Sequence, residues 1–408
     1  MQTAGTHCLF APCRTATDLQ DSTSNMRIGL VTSEFPPDVG GVETYACQLA
    51  AEFGRRPGLT VTVYCPRASK DFDPPPNVSI KPCLSSCRGR DWSRLRGERI
   101  DVWHALSAPH AWLSLTGRPT VISVHGNDFI APYALTARPN LAKPLLHRLE
   151  AWVWRRWHRH WQSATSQLIT TALPRAHAVF ANSHYTAEVL ARRVPACASR
   201  IAVTWAGVDE TYFANPRKPR GLRPRLLTVS RLSEPRKNVG LVLAALGALR
   251  ERHDFEYTIA GDGSDRPALE AQARALDLAG RVRFAGKVDA ATLGGLYAAA
   301  DLFVLTSSIV PGSHEGFGIV YLEAAASGAP SLAARLAGAV DAVAEGVSGW
   351  FVDTPDVPSL TAALDDFLSA RLVFDPARCR AFARRFLWRN VADAMLAHYP
   401  SVAARAAT

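Results

Sequence analysis

The segment RIGLVTSEFPPDVGGVETY, residues 27–45, decides the fold of this chain. Its apolar, β-branched start predicts a buried strand, two prolines stiffen the turn that follows, and a helix is predicted from Val42 onward. Gly40 and Gly41 leave backbone amides uncovered at the start of this helix, where an anion is favoured. Two interpretations stay open from these residues alone: an anion-binding loop, or a strand-to-helix turn that merely needs glycine.

The same alternation of a short apolar run and a helical stretch repeats along the chain. Further strands are predicted at 59–65, 100–105, 120–126, 176–183 and 201–207, and a second series at 225–231, 255–261, 281–286 and 301–307. This alternation predicts an α/β protein with two Rossmann-like, doubly wound domains. Ligands bind at the carboxyl ends of such strands, so we expect His125 and Ser183 to face one crevice.

The boundaries of these domains follow from composition. Residues 1–25 are polar and a strand begins directly at Met26, so we expect 1–25 to be an extension that is disordered or not translated. The first domain is predicted over 26–215 and the second over 225–374. Prolines, a glycine and basic residues at 216–224 exclude a helix and predict the linker. The amphipathic residues 375–408 have no strand to follow and are predicted to cross back to the first domain.

Charge and cysteine content exclude several classes of protein. The net charge is +10, which indicates an anionic partner. No zinc-finger, helix-turn-helix or RNA-binding signature accompanies the charge, so no nucleic-acid partner is expected. The eight cysteines are scattered without metal-ligand spacing, and no apolar run is long enough to span a membrane. We therefore expect a cytoplasmic protein.

The segment SRLSEPRKN, residues 230–238, places two cations at the edge of the second predicted sheet. Arg231 ends a strand, and Lys237 lies one loop later, just before a helix. Two cations beside a helix N-terminus can neutralise a diphosphate and stabilise the charge that it gains as a leaving group.

The segment HEGFGIVYLEAAASGAP, residues 314–330, follows an apolar strand and a proline-glycine loop. Its predicted helix begins near Gly318, so the amides of Gly318, Ile319 and Val320 are free to bind phosphate. Glu323 lies two turns into this helix and is expected to accept hydrogen bonds from ribose hydroxyls. Glu315 lies on the preceding loop and is expected to reach a sugar.

These motifs and their order resemble glycosyltransferase family 4, a family of retaining enzymes with the GT-B fold of two facing Rossmann-like domains. The matching segments are PPDVGGVETY, VHG, FANS, SRLSEPRKN, AGDG, FAGKV and EGFGIVYLEA, and the resemblance runs from Met26 to about Val352. It implies that a nucleotide-diphosphate-sugar is the substrate and that the donor cleft lies between the domains. Within this family, the chain resembles bacterial enzymes that build surface polysaccharide.

The resemblance also implies roles for individual residues. Gly40 and Gly41 would lie near the donor phosphates, while Arg231 and Lys237 would hold the diphosphate. Glu323 would hold the ribose and Glu315 would contact the transferred sugar. His125 would lie beside the reacting centre, orienting the sugar and stabilising developing charge, while Asp128 is a candidate contact of the acceptor or the sugar.

No metal and no tightly bound cofactor are expected. The single D-x-D, Asp71-Phe72-Asp73, precedes three prolines rather than following a strand at the crevice. The chain also departs from the family where a Gly-Gly-x-x-Glu is common, because it reads LAGAVDAVAEG at 336–346, and Asp341 is expected to replace the glutamate.

Residues 141–161, LAKPLLHRLEAWVWRRWHRHW, combine tryptophan, arginine and histidine. Such a helix could lie on an anionic membrane with its indoles at headgroup depth, as an enzyme acting on a lipid-linked acceptor requires. An ordinary helix that buries its tryptophans against the sheet is the alternative, and it stays open. We therefore expect a cytoplasmic location, with peripheral contact to the inner face of the membrane as an option.

We accordingly expect a retaining glycosyltransferase that moves a hexosyl-type sugar from a UDP- or GDP-linked donor. Its acceptor is expected to be a saccharide or lipid-linked saccharide, in synthesis of cell-surface polysaccharide or glycolipid. A non-catalytic nucleotide-sugar-binding protein and a nucleotide-sugar epimerase of the same fold are the alternatives.

Overall fold

The structure is a computed structural model that describes residues 25–36, 40–68, 72–85, 87–132, 147–219, 221–399, 401 and 403. For the helix that begins at His147, side chains are described at Arg156 and from Arg159 onward. Three parts of the sequence predictions lie outside these ranges. They are residues 1–24 of the predicted extension, residues 141–146 of the tryptophan-rich segment, and Asp71 of the D-x-D.

The first domain is built on a parallel sheet of seven strands. The strands are β1 (Met26–Val31), β2 (Leu59–Cys65), β3 (Val78–Pro82), β4 (Val102–Ala105), β5 (Thr120–Val124), β6 (Ala178–Ala181) and β7 (Ile201–Val203), in the spatial order β3-β2-β1-β4-β5-β6-β7. Strands β4, β5 and β6 are buried along their whole length, because helices cover both faces of the sheet.

The helices of the first domain are α1 (Gly41–Gly54), α2 (Arg88–Leu95), α3 (Asn127–Ile130), α4 (His147–Ala172), α5 (His184–Arg193) and α6 (Thr211–Ala214), with 3-10 helices at Ala108–Thr116, Leu173–Arg175 and Pro195–Arg200. Ser183 caps α5 by accepting a 3.0 Å hydrogen bond from the amide of Thr186. Ser183 is fully buried and its hydroxyl serves as a helix cap, while its position at the crevice stays a prediction.

The second domain has a parallel sheet of six strands in the order β10-β9-β8-β11-β12-β13. These are β8 (Arg225–Val229), β9 (Glu256–Ala260), β10 (Val282–Gly286), β11 (Leu302–Leu305), β12 (Ser331–Ala334) and β13 (Gly349–Val352). Its helices are α7 (Val239–Leu249), α8 (Arg266–Ala275), α9 (Ala290–Ala299), α10 (Ile319–Ala326), α11 (Ala339–Ala342) and α12 (Val357–Leu368), with a 3-10 helix at Pro235–Lys237.

Both sheets change winding direction at an internal strand. In the first sheet β1 lies between β2 and β4, and in the second β8 lies between β9 and β11. A crevice opens at the carboxyl ends of the strands on either side of such a point, and ligands bind there. The prediction of two Rossmann-like, doubly wound domains is confirmed, and these switch points place the loops after β1, β4, β8 and β11 at the candidate site.

The C-terminal segment forms α13 (Pro376–Ala383), a 3-10 helix at Arg384–Phe386 and α14 (Trp388–Leu396). Helix α14 packs on the first domain, where Nη2 of Arg56 lies 2.7 Å from Oδ1 of Asp393. The buried hydroxyl of Tyr399 forms a 2.6 Å hydrogen bond with Nδ1 of His104 on β4. The end of the chain therefore lies against the domain with which the chain begins.

Within the described ranges, no helix combines the length and the apolar composition that a membrane crossing requires.

Candidate active site

The loop after β8 directs Lys237 toward the neighbouring strand β11. Its 3-10 turn ends at Asn238, whose backbone is left-handed with φ of 58°, a conformation that asparagine tolerates better than most residues. The side-chain amide of Asn238 donates to the Thr306 carbonyl at 2.6 Å and to Oγ of Ser308 at 2.7 Å. These bonds fasten the loop after β8 to the loop after β11 and bring their side chains together.

Glu315 lies at the meeting point of these two loops and is 8% exposed. Its Oε2 accepts hydrogen bonds from Nζ of Lys237 at 2.5 Å and from Oγ of Ser307 at 3.1 Å. Burial opposes the ionisation of Glu315, but the charges of Lys237 and Arg236 outweigh it and hold the pKa of the carboxyl below its usual range. The site therefore contains a buried, ionised carboxylate.

Glycines allow the loop that carries Glu315 to pass between the domains. A Cβ atom at Gly316 would lie 2.5 Å from the carbonyl oxygen of His125. The backbone of Gly318 is left-handed with φ of 89°, and a Cβ there would lie 2.5 Å from the Tyr321 ring. Only glycine fits both positions, which explains the Gly-x-Gly pattern after Glu315.

Helix α10 begins immediately after Gly318, so the first amides at Ile319 and Val320 have no intrahelical acceptor. Tyr321 anchors the helix by donating a 2.6 Å hydrogen bond to the Leu305 carbonyl at the end of β11. The N-terminus of α10 therefore lies at the carboxyl edge of the second sheet, as the sequence predicted for a phosphate-binding helix start.

Glu323 lies within α10 and is partly buried. Its Oε2 accepts a 2.7 Å hydrogen bond from the hydroxyl of Tyr297 on α9. Burial raises the pKa of Glu323 above its ordinary value, against the hydrogen bonds of Tyr297 and Tyr212 that lower it. Glu315 and Glu323 thus have opposite environments: the first is held ionised by cations, and the second is surrounded by tyrosines.

His125 follows β5 on the opposite side of the cleft. Its Nε2 forms a 2.8 Å hydrogen bond with the Leu106 carbonyl, which makes Nε2 the protonated nitrogen of the ring. The Tyr45 ring packs edge-on against the imidazole at a centroid distance of 4.6 Å. A Cβ at the next residue, Gly126, would lie 3.1 Å from Cα of Gly316, so His125 is within one residue of the loop that carries Glu315.

Both carboxylate oxygens of Asp128 are engaged by backbone amides. Oδ1 accepts from the amide of His125 at 2.9 Å, and Oδ2 accepts from the amide of Ala108 at 2.8 Å. Asp128 therefore ties the loop after β4 to the loop after β5 and holds the backbone of His125. Its contact with acceptor or sugar stays a prediction.

Gly40 and Gly41 begin α1 beside β1. A Cβ at Gly40 would meet only an oxygen of Glu34 at 3.4 Å, and a Cβ at Gly41 would meet no atom of the described residues within 4 Å. Among the described residues, Gly41 at this N-terminus is exposed. Residues 37–39 of the same loop lie outside the described ranges.

Arg231, the other predicted cation of the SRLSEPRKN motif, lies at the surface. Its side chain is 77% exposed, and Nη2 lies 3.0 Å from Oε1 of Glu234. The buried cation next to Lys237 is instead Arg236, whose side chain is 7% exposed. Arg236 is not among the residues predicted from sequence, although it is a basic residue directly before Lys237 in the same motif.

Asn127 and Asp341 each form hydrogen bonds between the two domains. The side chain of Asn127 accepts from the amide of His314 at 2.9 Å and donates to Oγ of Ser313 at 3.0 Å. On another edge, Oδ2 of Asp341 accepts from Nδ1 of His184 at 2.9 Å and from Nε1 of Trp205 at 3.1 Å. Asp341, at the position where the family pattern has glutamate, therefore bridges to the first domain.

The described residues contain no group of three or more His, Cys, Asp or Glu side chains positioned to hold a metal ion. A buried carboxylate and two adjacent cations lie beside the N-terminus of α10, and His125 lies across from them.

Both halves of the chain match models of known protein families. Residues 39–212 match the family model described as Glycosyltransferase Family 4, and residues 223–370 match the model described as Glycosyl transferases group 1.

Two relatives from Mycolicibacterium smegmatis match over most of their length. The chain is 28% identical over 389 residues to a GDP-mannose-dependent alpha-(1-6)-phosphatidylinositol monomannoside mannosyltransferase, covering 86% of this chain and 90% of that protein. It is 29% identical over 413 residues to a GDP-mannose-dependent alpha-mannosyltransferase, covering 93% and 98%.

Among solved structures, Anabaena HepE in complex with UDP and glucose is similar with a TM-score of 0.68 and 19% identity, covering 91% of this chain and 98% of that one. WaaG, a glycosyltransferase involved in lipopolysaccharide biosynthesis, is similar with a TM-score of 0.64 and 17% identity, covering 90% and 98%. At these identities the likeness shows the fold, which is the GT-B arrangement.

Proposed function

Because the chain belongs to the family 4 glycosyltransferases, we propose that it transfers a mannosyl residue from GDP-mannose to a lipid-linked saccharide acceptor, with retention at the anomeric carbon. The contact that carries this proposal is the pairing of Glu315 with Lys237 at the switch point of the second sheet, opposite His125. GDP-mannose is chosen over a UDP-sugar because the two relatives that match over nearly their whole length are both named for GDP-mannose.

The donor diphosphate binds to cations and helix amides in this proposal. Lys237 is buried beside the site, and the exposed side chain of Arg231 closes over the phosphates from the rim. The amides of Gly318, Ile319 and Val320 and the N-terminus at Gly40–Gly41 add neutral donors that favour negative charge. Glu323 receives the ribose hydroxyls.

Glu315 and His125 act on the sugar. The ionised carboxylate of Glu315 accepts hydrogen bonds from hydroxyl groups of the mannosyl ring and favours positive charge at its anomeric carbon. His125 directs Nδ1, the ring nitrogen that is not bonded to the Leu106 carbonyl, toward the sugar. It orients the ring and is not a conventional base.

Retention through a covalent intermediate would need a nucleophilic carboxylate about 5 Å from a second carboxyl group. Asp128 is the carboxylate nearest to His125 in sequence, and backbone amides occupy both of its oxygens. Front-face attack is therefore the favoured route. The glycosidic C–O bond to the phosphate breaks, the acceptor oxygen attacks the same face, and the departing phosphate oxygen takes the acceptor proton.

The acceptor reaches the cleft from a membrane surface in this proposal. Helix α4 exposes Arg156, Arg159, His160 and Trp161, a combination of cations and indole that suits anionic headgroups. The enzyme then works as a peripheral protein on the inner face of the cytoplasmic membrane. Vesicle flotation tests this placement: Arg156→Glu with Arg159→Glu should abolish binding to anionic vesicles, while Arg192→Glu with Arg193→Glu on α5 should not.

The donor assignment is tested by incubating the purified protein with GDP-mannose, UDP-glucose or UDP-galactose and vesicles that contain phosphatidylinositol monomannoside. GDP release coupled to a new α-linked mannosyl product, sensitive to α-mannosidase, is expected. The Glu315→Ala variant supplies the inactive control. Faster transfer from a UDP-sugar would overturn the donor assignment, and a β-linked product would overturn retention.

A further inference from the structure

Arg236 is a buried cation with unused hydrogen-bonding capacity. Its Nη2 donates to Oε2 of Glu234 at 2.6 Å, while Nε and Nη1 have no hydrogen-bond partner among the described residues. Nη1 lies 3.6 Å from Oε2 of Glu315, which is close enough for ion pairing but too long for a hydrogen bond. Buried donors without acceptors are costly, so an arginine in this state indicates a second arrangement in which they are used.

The second arrangement follows from competition for Lys237. In this structure Lys237 donates to Glu315 at 2.5 Å. The same lysine is the proposed partner of the donor diphosphate, which carries more negative charge than one carboxylate and competes for the ammonium group. When Lys237 turns to the phosphates, Glu315 loses its shortest hydrogen bond while it remains buried.

We propose that Arg236 is a positioning residue that takes over Glu315 when the donor diphosphate draws Lys237 away. A movement of Nη1 by less than about 1 Å converts its present ion pair with Glu315 into a charge-assisted hydrogen bond. Because this inference rests on the proposed function, it concerns the donor-bound enzyme. Arg236 keeps the carboxylate ionised and aimed at the sugar, and does not itself bind the phosphates.

The other groups around Glu315 do not substitute for Arg236. Ser307 donates one neutral hydrogen bond at 3.1 Å. Burial and the charge of Arg236 lower the pKa of His314 to about 4, so this histidine is neutral at pH 7. Burial raises the pKa of Tyr321 far above its ordinary value, so it carries no charge either. Glu234 is an anion bound to the other end of Arg236.

Arginine suits this task better than lysine because its guanidinium stays charged and can bond two carboxylates at once. Nη2 keeps Glu234 while Nη1 bonds Glu315. The exchange therefore needs no rotamer change of Arg236, only a small approach of the Glu315 loop.

The test compares Arg236→Gln with wild type through the pH dependence of kcat and the Kd for GDP. We expect GDP affinity to change less than about threefold, kcat to fall at least about tenfold, and the acid limb of the kcat profile to move to higher pH. Arg236→Lys should restore part of kcat. Arg223→Gln, which removes an exposed arginine from its ion pair with Asp254, is the matched control and should leave both quantities unchanged.

A second measurement does not depend on turnover. With GDP bound, the ¹³C-labelled carboxyl of Glu315, assigned through Glu315→Gln, should stay ionised to lower pH in wild type than in Arg236→Gln, or in Arg236→Lys if the glutamine variant does not fold. An unchanged titration, or a loss of GDP affinity as large as the loss of kcat, would overturn the role of Arg236. Absence of transfer by wild type with every donor would instead overturn the proposed function, while the titration would still decide the role of Arg236.

Discussion

Nζ of Lys237 lies 2.5 Å from Oε2 of Glu315, and this pair joins the loop after β8 to the loop after β11 at the switch point of the second sheet. Both side chains are mostly buried, at 14% and 11% exposure. The pair thus links the stability of the second domain to the residues proposed for donor binding and sugar contact.

Removing the lysine should weaken the fold. In Lys237→Ala, Glu315 keeps Arg236 but loses a buried charge-assisted hydrogen bond, so the free energy of unfolding should fall by about 1–3 kcal/mol. Lys81→Ala breaks a more exposed pair with Glu98 and should cost less than about 1 kcal/mol. Urea unfolding of both variants measures the difference. Equal losses would contradict the buried character of the Glu315 pair.

The two glutamates should respond oppositely to neutral substitution. The pKa of Glu315 is lowered in the folded state, so its contribution to stability is present above its unfolded pKa and is lost as pH falls through the folded pKa. The pKa of Glu323 is raised, so its contribution is present below its unfolded pKa and is lost as pH rises through the folded pKa.

At pH 7, Glu315→Gln should therefore destabilise the protein and Glu323→Gln should stabilise it or leave it unchanged. Thermal unfolding between pH 4 and pH 8 measures both. The difference between wild type and each variant should change with pH in opposite directions, and parallel changes would refute the assignment of their environments.

The kinetic roles of the same residues should also separate. Glu315→Ala should abolish transfer with only a modest loss of nucleotide affinity, because its partner Lys237 remains available to the diphosphate. Glu323→Ala should weaken donor binding itself, since it removes the proposed ribose acceptor. Titration calorimetry with GDP and steady-state rates check this division. Equal effects of both substitutions on binding would contradict it.

Glycine at position 316 should be required for closing the cleft. In Gly316→Ala the new Cβ would lie 2.5 Å from the His125 carbonyl oxygen, a backbone atom that cannot rotate away. We expect destabilisation of about 1–3 kcal/mol and a large loss of transfer activity. Gly295→Ala, on helix α9 with no neighbour within 4 Å of its Cβ, is the control and should stabilise the protein by about 0.5–1 kcal/mol.

The bridge from Asp341 to the first domain should weaken with rising pH. The hydrogen bond to Asp341 raises the pKa of His184 above its ordinary value, although burial opposes this. The charged pair is therefore present at low pH and is lost as pH rises through the raised pKa. Small-angle scattering should show wild type opening slightly above that pH. Asp341→Asn should be independent of pH over this range, and a persistent pH response would contradict the bridge.

Much of the fold was predictable because buried parallel strands have a strong apolar signal. The predicted strands that became β1, β2, β5 and β11 are rich in apolar and β-branched residues, and their order predicted two doubly wound domains. Strand β3 was missed, since it is an edge strand that ends at Pro82 and exposes much of its length. Strand β12 was also missed, because SLAA lacks the bulky β-branched residues that favour strands.

The sequence by itself determined which chemical groups this protein can bring to a ligand. These groups are recognised by their local spacing in the sequence: the glycines, the cations of SRLSEPRKN and the paired glutamates. Only the tertiary structure decided which of these groups pair with one another. Lys237 and Glu315 are 78 positions apart, and Asp341 lies 157 positions from His184. Whether such groups neutralise each other or remain available depends on burial and distance, which chain spacing does not encode.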